Sequence, residues 1–483
     1  MTQSRSSYVL LVSIFLSIWF VLLIRVDAPW FGIQEASRIW VAAAGRNYTL
    51  YGLENTGLMV IRNTAPTTPD QFEYYPRHPP LMVWMGALST HLFGDDELSI
   101  RYTFAAITLI SAAAFYVLIR RLYKVRVATW AMGFYAFTPM VAYYGRVPGH
   151  DQLGLLIVFL FGASLFNWLR GHTRQFMALI ALAIAAVWTA WTAVFFIAAI
   201  GLAGFVFARG KQRPLIIALG ITTFLAIVAL ILFYQVQWSG TIDNLINAFF
   251  WRTSNASDNV GSVPFTLLEF ITTTLGHLLV LGTIGLLILS VWGILPLRRY
   301  GSRLSNTFLF ALLMGSLGYQ LVFRNASYVH DYYKITLIPA LAVSAAAAWV
   351  YARPNQRIAK PVIDSLLIIS LVSSIIILGI LHRSGHRPWL QAVIDTINLD
   401  SQPEDDLFTN LEGKDNLMPL TFYTFRSFED DALFSDAYTH AQETGNPTIY
   451  IFCPYRGQGL TLLPDVAYTT REVDACTFYL FNE

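Results

Sequence analysis

The sequence predicts an all-α polytopic membrane protein of about eleven transmembrane helices, followed by a small C-terminal α/β domain. Three observations carry this. First, 55% of the 483 residues are hydrophobic, only 13% are charged, and the mean hydropathy is +0.51. A soluble domain usually has about 25% charged residues, so this chain has too few to coat a water-facing surface. Second, apolar runs near the ~20 residues that cross a bilayer recur between residues 8 and 381. Third, the charges are segregated, which the net charge of +2 hides. Every second short loop is purely basic, and the chain from residue 383 turns acidic.

The spans fall at 8–26, 98–119, 127–144, 152–168, 176–188, 192–208, 214–234, 267–294, 306–322, 334–352 and 362–381. Residues 176–208 are too long for one span. Trp188-Thr189-Ala190-Trp191-Thr192 reads as the turn within them, with two interfacial tryptophans. Five loops hold only basic charges: Arg120, Arg121, Lys124 and Arg126; Arg170 and Arg174; Arg209, Lys211 and Arg213; Arg298, Arg299 and Arg303; Arg353, Arg357 and Lys360. The positive-inside rule makes these loops and the N-terminus cytoplasmic. Loops 27–97, 145–151, 235–266 and 323–333, and the tail, are then expected outside the plasma membrane. Segment 78–94 is apolar, but a crossing there would invert every later loop. It reads as an interfacial or re-entrant helix. The first run exceeds the usual signal-peptide core and lacks a small-residue cleavage site, so it is expected to be a retained anchor.

Two domains follow: a transmembrane domain at 1–382 carrying the polar first outer loop 27–97, and a small extracytoplasmic α/β domain at 383–483. In the tail, 420–425, 448–452 and 476–481 look like strands and 432–444 like a helix. The chain's two cysteines, Cys453 and Cys476, both lie there. A disulfide in an oxidising compartment and two buried free thiols both fit.

Candidate chemistry gathers at the outer loops. Glu35 opens an amphipathic segment (Ile39, Trp40, Ala43, Ala44) and suits a general base taking a proton from an acceptor hydroxyl. A plain helix-start acid is the alternative. Asp27, just past the first span, is a second carboxylate. In Tyr74-Tyr75-Pro76-Arg77-His78-Pro79-Pro80-Leu81 the prolines pin Arg77 and His78 at the mouth of an interfacial helix. A guanidinium beside an imidazole suits a lipid phosphate. The second outer loop holds Arg146, His150 and Asp151. With Glu35, Asp151 and His150 offer ligands for a divalent cation; equally, Asp151 pairs with Arg146. Around 323–334, Arg324, His330, Tyr333 and Lys334 suit a leaving phosphate, against an interfacial aromatic belt as the alternative. Residues 238–259 read as an amphipathic helix (Ile242, Leu245, Ile246, Phe249, Phe250) at a lipid entrance. The sequons at Asn47, Asn255 and Asn325 are weak signals. No nucleotide-binding loop, internal repeat or nucleic-acid signature is present.

The acid after the first helix, Tyr-Tyr-x-x-His-Pro-Pro-Leu at 74–81, Phe93-Gly94-x-x-Glu97-x-x-x-Arg101 and the Arg146…Asp151 loop together resemble the GT-C superfamily of membrane glycosyltransferases. The branch they resemble is that of the protein O-mannosyltransferases and lipid A aminoarabinose transferases (glycosyltransferase family 39/83-like). The resemblance covers roughly residues 8–335. It implies transfer of a sugar from a polyprenyl phosphate to a protein, lipid or glycan acceptor on the outer face, usually with inversion. It further implies that Glu35 acts as base, where the family often has Asp-Glu and this chain has Gln34-Glu35. Asp151 and Arg146 match the second-loop acid and its arginine, and the His330 region resembles a loop that contacts lipid phosphate. A flippase or transporter of lipid-linked sugars is the rival, but His277 is the clearest polar residue within a span, no internal repeat is visible, and the charges crowd the outer interface instead. An inactive scaffold in envelope assembly is the third reading.

Overall fold

The computed structural model describes residues 5–254, 263–353, 359–412, 414–454, 460–463 and 466–481. The chain divides into two compact units. Met1–Val26, Gly57–Val60 and Tyr75–Ile380 form the first; Asp27–Thr56, Ile61–Tyr74 and Leu381–Glu483 form the second.

Among its described residues the first unit is helical. Five stretches are long and apolar enough to cross a membrane: Glu97–Leu122, His150–Leu169, Gln212–Gln237, Leu267–Tyr300 and Lys360–Asp400. The remaining expected spans are helices Arg5–Leu22, Val125–Ala136, Gln175–Thr189, Trp191–Phe207, Arg303–Val322 and Ile338–Ala347. The chain is therefore a multi-pass membrane protein. Large apolar side chains lie exposed along Gln212–Gln237 (Ile217, Ile221, Phe224, Leu225, Leu232), a surface that suits lipid rather than water.

Breaks follow local chemistry. Ala190 adopts an extended conformation and separates the two helices of 175–207. Pro139 has no N–H to continue the preceding helix, and Thr138 caps the new one by accepting from the Val141 N–H. Helix Leu81–Phe93 has 13 residues, about 20 Å at 1.5 Å per residue, too short for a ~30 Å hydrocarbon core. Close helix approach relies on missing side chains. A Cβ at Gly293 would lie 1.7 Å from the Ser344 carbonyl oxygen, and one at Gly285 2.3 Å from that of Leu366.

The second unit holds a four-stranded sheet: β1 (Asp406–Thr409), β2 (Thr448–Phe452), β3 (Thr469–Val473) and β4 (Cys476–Phe481), in spatial order β1-β2-β4-β3. β1 and β2 are parallel and the other pairs antiparallel. Alternation sorts the side chains to two faces. Ile449, Ile451 and Phe478 join Leu390, Val393, Ile394 and Ile397 of helix Pro388–Asp400, together with Phe31 from the first polar loop. Tyr450, Tyr479 and Phe481 pack with Phe434, Ala437 and Ala441 of helix Phe434–Thr444. Cys453 and Cys476 are disulfide-bonded. Residues 448–452, 476–481 and the helix near 432–444 match expectation. Residues 420–425 do not: helix Lys414–Thr424 occupies 420–424 and a turn follows at Phe425. Their β-branched and aromatic residues favour a strand, but burial of Leu420 against helix Pro388–Asp400 overrides propensity.

The polar first loop packs within this unit. Trp30 N–H donates to the Tyr423 hydroxyl at 2.8 Å. The Arg46 guanidinium lies 4.0 Å from the Phe422 ring centre and donates to the Phe422 carbonyl at 2.9 Å.

Candidate functional site

The Arg77-His78 turn is held from several sides in the first unit. The Trp191 indole N–H donates to the Arg77 carbonyl at 3.0 Å, and the Tyr234 hydroxyl donates to the His78 carbonyl at 2.7 Å. Helix Thr241–Thr253 closes over this turn. Arg77 Nε donates to Asn244 Oδ1 at 3.0 Å; Arg252 Nη1 donates to the Arg77 carbonyl at 3.1 Å; Arg252 Nη2 meets His78 Nε2 at 3.0 Å. The helix is amphipathic in the membrane sense. Thr241, Ala248 and Arg252 are buried, while Ile242, Ile246, Phe249 and Phe250 are exposed.

Arg252 is the buried cation of this cluster. Tyr333, Tyr75, Tyr319 and Tyr332 are its electrostatic neighbours. Among the described residues its hydrogen bonds reach a carbonyl and an imidazole, and no carboxylate pairs with it. A guanidinium has five N–H donors; two are engaged here. A buried charge compensated only by neutral groups is a place prepared for an anion.

Helix His150–Leu169 supplies the next residues from its first turn. Adjacent helical residues diverge by about 100°, and these do. The His150 ring stacks on His78, with centroids 4.1 Å apart and 23° between planes, whereas Asp151 Oδ1 accepts from the Thr192 hydroxyl at 3.1 Å. Among the described residues no group of three or more His, Cys, Asp or Glu is placed to hold a metal ion.

The segment 324–336 borders this cluster. Exposed Arg324 donates from Nε to the Thr253 carbonyl at 2.9 Å, at the C-terminal end of the Arg252 helix. Tyr333 packs against Tyr319 (centroids 5.5 Å apart), and His330 stacks on Tyr332 (5.1 Å). Asp331 accepts from the Tyr144 hydroxyl at 2.8 and 2.9 Å, and buried Lys334 donates to the carbonyls of Ser327 and His330. Arg146 is buried and donates to the Ile24 and Arg25 carbonyls, while Arg101 donates to that of Val26. Both hold the chain that leaves the first helix.

Glu35 and Asp27 belong to the second unit. Glu35 is buried, its Oε2 accepts from the Gly32 N–H at 3.2 Å, and it precedes the 3-10 turn Ala36–Arg38. Gln34 beside it has φ 61°, a left-handed conformation that costs a non-glycine residue energy. Asp27 is exposed. Of the sequons, Asn47 and Asn325 are buried, their side-chain amides donating to backbone carbonyls; Asn255 lies outside the described residues.

The structure thus brings Arg77, His78, His150 and Asp151 into one unit with Arg324, His330 and Tyr333. Sequence reasoning missed Arg252, Thr192, Tyr234 and Asn244. A signal for Arg252 existed: it continues the Asn244, Ala248 spacing on the face opposite Ile242, Ile246, Phe249 and Phe250.

Residues 77–238 match the family model described as dolichyl-phosphate-mannose-protein mannosyltransferase. A comparison with curated protein sequences found no match. Among solved structures, ArnT from Cupriavidus metallidurans bound to undecaprenyl phosphate is similar with a TM-score of 0.69 at 15% identity, over 99% of this chain and 98% of that one. The archaeal oligosaccharyltransferase AglB from Archaeoglobus fulgidus, in complex with an inhibitory peptide and a dolichol-phosphate, is similar with a TM-score of 0.55 at 14% identity, over 93% of this chain and 69% of that one. The fold is the one these two structures share.

Proposed function

We propose that this chain is a membrane glycosyltransferase. It moves a hexose or pentose from a polyprenyl-phosphate-linked donor to a protein, lipid or glycan acceptor at the outer face of the plasma membrane, with inversion. The observation that carries this is Arg252: a buried guanidinium with tyrosines as electrostatic neighbours, whose hydrogen bonds among the described residues go to neutral partners and use two of its five N–H groups. The names of the similar structures support a lipid phosphate as that anion, since one is bound to undecaprenyl phosphate and another to a dolichol-phosphate. The family description of residues 77–238 supports sugar transfer.

The chemistry asks little else of the protein. As the bond from the sugar to the phosphate oxygen breaks, negative charge grows on the leaving phosphate. Arg252 and Arg77 stabilise it, more strongly in a dry site than in water. Arg324, His330 and Tyr333 are further proposed donors to it. The acceptor hydroxyl attacks the sugar carbon from the opposite side and gives its proton to a carboxylate. On the family resemblance that base is Glu35, with Asp27 and Asp151 as the other candidate carboxylates. The basic loops and the Cys453–Cys476 disulfide support a cytoplasmic N-terminus and an extracytoplasmic tail.

The test is affinity of the purified full chain for undecaprenyl phosphate. Arg252→Ala is expected to weaken binding about 100-fold, the scale of a lost charge-assisted contact. Unchanged binding would remove the reading.

A further inference from the structure

We infer that His78 is a positioning residue that aims Arg252, rather than a ligand of the donor phosphate. A guanidinium is always protonated and only donates. Its Nη2 lies 3.0 Å from His78 Nε2. Nε2 must therefore be the accepting, unprotonated nitrogen, and the ring proton sits on Nδ1. A neutral imidazole whose Nε2 lone pair faces a cation adds no positive charge to the site. What it adds is direction.

The surroundings hold the ring for that task. Pro79 and Pro80 restrict the backbone on one side. The Tyr234 hydroxyl fixes the His78 carbonyl, and the His150 ring, stacked at 4.1 Å, fixes the plane of the imidazole. Tyr75 lies at the next ring position, 5.8 Å away. The Arg77 carbonyl takes the other end of the guanidinium, on Nη1. Two acceptors one residue apart thus grip both Nη atoms of Arg252. They set the plane of the fork and the direction in which its remaining N–H groups point. Arg77 completes the clasp by donating to Asn244, two turns earlier on the same helix as Arg252.

This inference rests on the proposed donor-phosphate role of Arg252, and a double-mutant cycle separates the two. Affinity for undecaprenyl phosphate is measured on the purified full chain for wild type, His78→Leu, Arg252→Ala and the double variant, with His78→Gln as the conservative replacement. A residue that acts through Arg252 has nothing to act on once Arg252 is gone. His78→Leu is therefore expected to weaken binding about 10- to 100-fold in the wild-type background and less than about 3-fold in the Arg252→Ala background. His78→Gln, whose amide oxygen accepts without carrying charge, is expected to stay within about 3-fold of wild type. The same loss from His78→Leu in both backgrounds would overturn the inference, because His78 would then meet the phosphate on its own. So would a His78→Gln variant as weak as His78→Leu. Wild-type affinity in Arg252→Ala is a different failure, and it removes the donor-phosphate reading itself.

Discussion

Arg252 and Glu35 are both buried ionisable side chains, yet they ask for different experiments. Arg252 lies among tyrosines and neutral acceptors, so its substitution should act on the donor. Arg252→Lys keeps the charge but loses the fork. We expect kcat/KM to fall at least about 10-fold even so, since a point charge cannot use both the Arg77 carbonyl and His78 while meeting an anion. Wild-type kcat/KM in that variant would show that charge alone suffices. Glu35→Gln should instead lower kcat by about 100- to 10,000-fold with donor affinity retained, as removal of a general base does. Asp151→Asn and Asp27→Asn under the same assay decide among the three candidate carboxylates. Residues 74–81 were legible because histidine, arginine and paired prolines are rare company beside a membrane. Arg252 was marked only by its place on the polar face of an amphipathic helix, because its partners Arg77 and His78 lie about 175 positions away. Arg146 was legible as a charge, but its carbonyl partners at Ile24 and Arg25 are more than a hundred residues away.

At the scale of elements, hydropathy located a helix at each expected span, five of them in stretches long and apolar enough to cross a membrane, because the signal is local. Close packing between helices is not local, and it yields a prediction. Gly293→Ala places a methyl group against the Ser344 carbonyl, whereas Gly201→Ala meets nothing within 4 Å. Gly293→Ala should destabilise by about 1–3 kcal/mol and Gly201→Ala should not, read by thermal unfolding in detergent; equal melting of the two would contradict the packing. In the sheet, β3 escaped notice because its Thr-Thr-Arg-Glu-Val run is an exposed edge strand without apolar alternation. Asp406 of β1 meets His440 and Asn446 at 2.9 and 3.1 Å. Burial alone would raise its carboxyl, but hydrogen bonds from His440 and Asn446 prevail and hold it below the ordinary carboxylate value. A depressed carboxylate stabilises the fold above its unfolded pKa and loses that contribution as pH falls through the folded one. The second unit should therefore lose stability as pH drops below about 4, and Asp406→Asn should lose less over the same range. An identical acid response in wild type and Asp406→Asn would refute it. Loss of the Cys453–Cys476 bond, which spans 23 positions, should cost the unit about 3 kcal/mol on loop-closure grounds.

At the scale of the whole molecule, the grouping of Asp27–Thr56 and Ile61–Tyr74 with the chain from Leu381 onward was the least legible feature. Phe31 enters the tail's core and Trp30 reaches Tyr423, contacts between segments more than 350 positions apart with no sequence pattern to announce them. The polytopic class, by contrast, followed from composition, recurrent apolar runs and segregated charge. The central claim is that this chain consumes a polyprenyl-phosphate sugar, and mass spectrometry of lipid-linked sugars tests it most directly. Cells lacking the chain are compared with cells that regain it as wild type or as Arg252→Ala. A polyprenyl-phosphate sugar should accumulate in the absence of the chain, fall to its normal level with wild type, and remain high with Arg252→Ala. An unchanged pool of lipid-linked sugars in cells without the chain would contradict the account.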